Sequence, residues 1–176
     1  SRGLGDVYKR QVEDRQAFID DVRDALWSAK VVAYAQGLDE IRTAAAEYHW
    51  EVDMGQVASI WRAGCIIRAR LLQRIKDEYA SGDLTTLLEA PSVKAELARC
   101  QQAWRRVVAR AVEAGVPVPG FSSALSYYDQ VRAPRLNAAL TQGLRDLFGA
   151  HTYRRVDDEG SWHVNWSGDG REVRAD

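Results

Sequence analysis

The chain has 176 residues, about the length of one domain with a core of its own. Its 24 Lys and Arg against 25 Asp and Glu leave a net charge of −1, which argues against a strongly basic nucleic-acid surface and against a polybasic membrane anchor. No stretch is apolar for long enough to read as a transmembrane helix, no signal-peptide pattern is visible, and no metal-ligand spacing links His49, His151, His163, Cys65 and Cys100. The two cysteines fall inside helical patterns, which predicts buried free thiols and fits a cytoplasmic setting.

Residues 1–11 (starting at Ser1, not Met) carry two glycines and no helical period, and read as a leader or non-native scar. One long helix is expected from about Asp14 to Tyr48, with Phe18, Val22, Leu26, Ala29, Ala33 and Gly37 as its inner stripe and Asp20, Asp21 and Arg23 outside. A helix that long suits the centre of a bundle or a subunit interface, and Gly37 reads as a point of close helix contact. Asp53 and Gln56 form a capping-box pattern ahead of a short helix through Trp61. A small-residue hinge, Arg62 to Arg68, leads into a helix to about Tyr79, with Ile66, Ile67, Leu71 and Ile75 inward.

After the turn Ser81-Gly82-Asp83, a short helix over Leu84–Glu89 ends at Pro91. Ser92 is the expected cap of a helix running to Ala114 and stopped by Gly115. That helix carries Leu97, Cys100, Ala103, Trp104, Val107 and Ala111 on one side. Its adjacent Arg105 and Arg106 point in different directions. Pro117 and Pro119 predict an extended connector, and Ser122 or Ser123 the start of a helix with Leu125, Tyr128 and Val131. Pro134 fits the first turn of a last helix ending at Gly149, expected as its left-handed C′ residue. Beyond it the chain turns extended, and its last ten residues are expected to be loose. The result is an all-α helical bundle with an extended C-terminal tail: residues 12–153 as the helical domain and 154–176 as the tail.

No G-x-S-x-G, P-loop, G-x-G-x-x-G or H-E-x-x-H is present, so no complete catalytic set is legible. Glu89, Glu96 and Asp157–Glu159 read as surface charge and the tryptophans as packing residues. The one chemical corner is Arg145 and His151 on either side of Gly149. A guanidinium fork and an imidazole there suit a phosphate or carboxylate. Arg145 equally suits the negative end of a helix dipole, and local sequence leaves both readings open.

Whole motifs go further. Ala33-Tyr34-Ala35-Gln36-Gly37, Ile60-Trp61-Arg62-Ala63-Gly64-Cys65-Ile66-Ile67-Arg68, Ala124-Leu125-Ser126-Tyr127-Tyr128-Asp129, Arg145-Asp146-Leu147-Phe148-Gly149-Ala150-His151-Thr152-Tyr153 and Asn165-Trp166-Ser167-Gly168 occur in this order. Together, over about Asp14 to Gly168, they resemble the C-terminal helical domain of decarboxylating 6-phosphogluconate dehydrogenases. The resemblance implies a homodimeric enzyme of the pentose phosphate pathway that converts 6-phosphogluconate and NADP+ to ribulose 5-phosphate, CO2 and NADPH. It implies that an N-terminal dinucleotide-binding domain, absent from this sequence, holds NADP. It implies that Arg145 and His151 bind the substrate, chiefly its phosphate end, in the partner subunit's site, with no membrane or nucleic-acid partner. The catalytic Lys and Glu of the family lie outside the sequence, so no catalytic residue is assigned and the fragment alone is expected to be inactive. Ala63 stands where the family usually has Gly, Asp39 and Glu40 are more acidic than usual, and Arg154 replaces a common Glu. The alternative is a non-catalytic helical dimerisation module.

Overall fold

A computed structural model describes residues 12–62 and 70–175. The stretch read as a leader, residues 1–11, lies outside them, as do Cys65, Ile66, Ile67 and the rest of the hinge beyond Arg62. Six α-helices are described: α1 (Arg15–Glu47), α2 (Met54–Ile60), α3 (Arg70–Ser81), α4 (Pro91–Glu113), α5 (Pro119–Arg132) and α6 (Ala138–Gly149). Two short strands follow, β1 (Trp162–Val164) and β2 (Glu172–Arg174). The all-α class holds. The chain divides into two compact units, residues 1–129 and 130–176.

In the first unit, α1 packs chiefly against α4. Asp14 caps α1 by accepting from the Ala17 amide at 2.9 Å. The other end closes as a Schellman motif: the Trp50 amide reaches the Ala45 carbonyl at 2.8 Å and the His49 amide the Ala46 carbonyl at 3.4 Å, with His49 left-handed at φ 56°. The buried residues of α1 are Ala25, Ser28, Ala29, Val31, Val32, Ala35, Leu38 and Ala45; of the expected stripe, Ala29 is among them and Phe18 and Val22 pack against the core. Leu26 and Ala33 face solvent, and Gly37 has open space where a Cβ would stand, so none of the described residues makes the expected close contact there. The same core takes Val93, Leu97, Trp104 and Val107 from α4. Trp104 is fully buried and donates its indole N–H to the Phe121 carbonyl at 3.1 Å.

The seam is flanked by ion pairs. Arg106 forks onto Asp21 at 2.6 and 2.8 Å, and Arg99 forks onto Asp24 at 2.9 and 3.3 Å. Asp21 therefore borders a helix contact and is not an outer-face residue. Arg105 points elsewhere, onto Asp129, as the sequence predicts for neighbours on a helix. Cys100 is a buried free thiol.

Several element boundaries shift. The helix expected over Leu84–Glu89 contracts to a 3-10 turn, Leu87–Glu89, whose Leu88 amide donates to the Thr86 hydroxyl. Ser92 does not cap α4; it accepts from Arg74 and donates to Glu78, while Pro91 occupies the first helical turn. Gly115, at φ 68°, ends α4 in a second Schellman motif. Pro119 opens α5 instead of excluding helix, because its missing N–H has no partner at a first turn. Val131 is exposed. Pro134 precedes α6 by four residues.

In the second unit the last residues are paired, not loose. β1 and β2 form an antiparallel hairpin with Trp162 opposite Arg174, His163 opposite Val173 and Val164 opposite Glu172, and Tyr153 bridges to Trp162. Asn165 organises the connecting loop: its carbonyl accepts from the Gly168 and Gly170 amides at 3.1 and 3.0 Å. A Cβ at Gly168 would overlap the Asn165 amide, which is why glycine stands there.

The candidate anion-binding corner at the end of α6

Arg145 lies in the last turns of α6, exposed, and donates to the Gln142 side-chain oxygen at 2.9 Å. Gln142 in turn donates to the Thr152 carbonyl at 2.5 Å. The residue that orients Arg145 thus also holds the backbone next to His151. No carboxylate pairs with Arg145 or His151 among the described residues, whereas Arg99, Arg105, Arg106 and Arg155 each have one. An exposed guanidinium steadied by a neutral amide keeps its charge available for an anion.

The helix does not end as the sequence predicts. Gly149 is its last helical residue, and the left-handed position falls on Ala150, φ 50°, whose amide reaches the Asp146 carbonyl at 2.9 Å. Glycine at 149 has another consequence: the His151 ring folds back over it, and a Cβ there would lie 2.9 Å from Nε2, so the imidazole would have to shift. Thr152 is left-handed too, at φ 57°. His151 is therefore flanked by two non-glycine residues in an unfavoured conformation.

Asp146 sustains that conformation. It is not among the candidate residues named from the sequence, and it is 0% exposed. One carboxylate oxygen accepts from the Thr152 amide at 3.0 Å and meets His163 Nδ1 at 2.9 Å. The other accepts from the Val164 amide at 3.0 Å and the Trp166 indole at 2.8 Å. Burial pushes this carboxyl up, but the Val164, His163 and Trp166 bonds outweigh it and hold the group at about 2. One signal was present in the sequence: a carboxylate in the last turn of a helix faces the negative end of the dipole, so it needs donors from elsewhere. Trp166, expected to be a packing residue, is one of them. His163 is another.

Tyr153 follows this corner. Burial, then its bond to Glu172, raises its hydroxyl to about 12. Among the described residues no group of His, Cys, Asp and Glu could hold a metal ion. No helix of the described residues is long and apolar enough to cross a membrane.

Comparison with known proteins agrees with the motifs. The family model described as 6-phosphogluconate dehydrogenase, C-terminal domain, matches residues 2–166. The chain belongs to that family. It is 53% identical over 154 residues to the decarboxylating 6-phosphogluconate dehydrogenase of Salmonella typhimurium, covering 87% of the chain and 33% of that protein. Against the Escherichia coli K12 enzyme it is 51% identical over 167 residues, 94% of the chain and 36% of that protein. Against enzyme 1 of Spinacia oleracea it is 47% identical over 165 residues, 93% of the chain and 34% of that protein. The structure of the Plasmodium falciparum 6-phosphogluconate dehydrogenase, studied in apo form, with its cofactor NADP+ and with its substrate 6-phosphogluconate, superimposes with a TM-score of 0.86 at 35% identity, over 93% of this chain and 35% of that one. The chain thus spans about a third of the length of the curated 6-phosphogluconate dehydrogenases it matches.

Proposed function

We propose that this chain is the C-terminal part of an NADP-dependent, decarboxylating 6-phosphogluconate dehydrogenase, an enzyme that yields ribulose 5-phosphate and CO2. In this reading its own contribution is twofold: a surface for homodimer formation, and Arg145 with His151 as binding groups for the phosphate end of 6-phosphogluconate in the partner subunit's site. The observation that carries the reading is an Arg145 with no carboxylate partner among the described residues, and a His151 ring seated on Gly149 one helical turn further on, at the end of α6 in a chain of this family. A phosphate dianion held by an arginine fork and an imidazole fixes the far end of the substrate without touching the reacting carbons.

The residues described here do not fit the dinucleotide. Its pyrophosphate takes a glycine-rich turn after a parallel strand, and the described strands form one antiparallel hairpin. The proposal therefore assigns NADP, and the acid and base chemistry, to parts of the enzyme outside the third that this chain spans. It places the enzyme in the cytoplasm, where Cys100 stays a reduced, buried thiol.

The deciding experiment is steady-state kinetics of the full-length enzyme carrying this chain, with Arg145→Ala. Loss of a charge-assisted bond of about 1.5–3 kcal/mol raises KM for 6-phosphogluconate about 10- to 100-fold, with a smaller change in kcat. An unchanged KM removes the substrate role and favours a helical dimerisation module that binds nothing.

A further inference from the structure

We propose that Asp146 is the positioning residue of this corner: from inside the second unit, its carboxylate holds the His151 turn with one oxygen and the tail hairpin with the other, so that the imidazole stays in place for the anion. The inference rests on the substrate role proposed for Arg145 and His151.

Asp146 follows Arg145 directly, and successive residues of a helix point about 100° apart. Arg145 is turned outward and Asp146 inward, where it is wholly buried. The turn it faces is strained by its own sequence. Ala150 and Thr152 both take left-handed backbone conformations, which cost L-residues free energy unless other bonds fix them. Two bonds do so, and both end on residue 146: its carbonyl accepts from Ala150 at 2.9 Å, and its carboxylate accepts from the Thr152 amide at 3.0 Å. His151 sits between those two anchors. From that fixed backbone its ring lies over Gly149.

The second oxygen binds the tail. The Val164 amide and the Trp166 indole converge on it at 3.0 and 2.8 Å, and His163 Nδ1 joins the first oxygen at 2.9 Å. Three partners are fixed N–H donors, the Thr152 amide on one oxygen and the Val164 amide and Trp166 indole on the other, so the site requires an acceptor on both oxygens, which only the ionised carboxylate supplies. An asparagine offers one carbonyl oxygen and one NH2. In either flip, the NH2 faces donors: the Thr152 and His163 pair, or the Val164 and Trp166 pair.

The test is carried out in the full-length enzyme, with folding checked by circular dichroism. Asp146→Asn raises KM for 6-phosphogluconate about tenfold while kcat stays within about threefold. In a His151→Ala background the same substitution changes KM less than about twofold, because Asp146 acts through the imidazole it positions. A merely structural role would instead give additive effects in the two backgrounds, and that result overturns the proposal, as does an unchanged KM in folded Asp146→Asn. Should Asp146→Asn fail to fold, Trp166→Phe decides: it removes one donor from a half-exposed position, and a rise in KM of about two- to fivefold that vanishes with His151→Ala supports the proposal, whereas no rise overturns it. Arg145→Ala and His151→Ala separate the two layers of argument. If both leave KM unchanged, the substrate reading fails and this inference with it; if both raise KM while Asp146→Asn or Trp166→Phe does not, only this inference fails.

Discussion

Gly149 illustrates how one atom matters at the end of α6. On helix propensity alone, Gly149→Ala should stabilise the last turn by about 0.5–1 kcal/mol. In this structure the added methyl would enter the space of the His151 ring. The expected outcome is an equal or higher melting temperature together with a raised KM for 6-phosphogluconate in the full-length enzyme. Asp146 gives the pH counterpart. Its folded value of about 2 lies below the usual ~3.9 of an aspartate, so its ionised form stabilises the fold at every pH above about 4. That contribution fades as the pH falls from about 4 toward 2. The Trp166 indole N–H resonance reports the carboxylate directly: protection from exchange should persist until the pH nears about 2, where the folded carboxyl takes up its proton, and Asp146→Asn should lack the protection at pH 7.

At the scale of elements, the seam between α1 and α4 rests mainly on buried apolar area, flanked by exposed arginine–carboxylate forks. Trp104→Ala removes the largest fully buried side chain among the described residues together with its bond to the Phe121 carbonyl, and should cost about 3–5 kcal/mol in chemical denaturation. Arg106→Ala removes a pair whose arginine is mostly exposed, and should cost no more than about 1 kcal/mol. That α1 and α4 each carry an apolar side was legible in sequence, because helical spacing is a local property. Which stripe of α1 turned inward was not: Leu26 and Ala33 fit the period as well as Ala25 and Val32 do, and only the shape of α4 selects between them. Likewise Pro119 marks a boundary in sequence, but it starts a helix as readily as it prevents one.

At the scale of the molecule, apolar side chains remain uncovered. Leu140, Leu144, Leu147 and Phe148 form one stripe of α6, with Leu140 73% and Phe148 83% exposed, and Ile19 and Leu26 lie a heptad apart on α1. Such stripes are rarely left in water, which supports the proposed homodimer. Sedimentation should show the full-length enzyme as a concentration-dependent dimer, and Phe148→Asp should shift it toward monomer. A monomer at all concentrations would contradict the homodimer.

The sequence by itself determined the main helices, the cap at Asp53, the stop at Gly115 and the family, and singled out Arg145 and His151 as candidates, because periodicity, capping and motif order are written in neighbouring residues. Tertiary structure alone decided that Gly149 leaves room for an imidazole and does not make the left-handed turn, that the tail forms a hairpin, and that Asp146 is the buried acceptor holding it. The physical reason is range. A helix cap is satisfied within four residues, whereas the donors that make a buried carboxylate tolerable come from 6, 17, 18 and 20 residues away, and no local pattern announces which of them will converge.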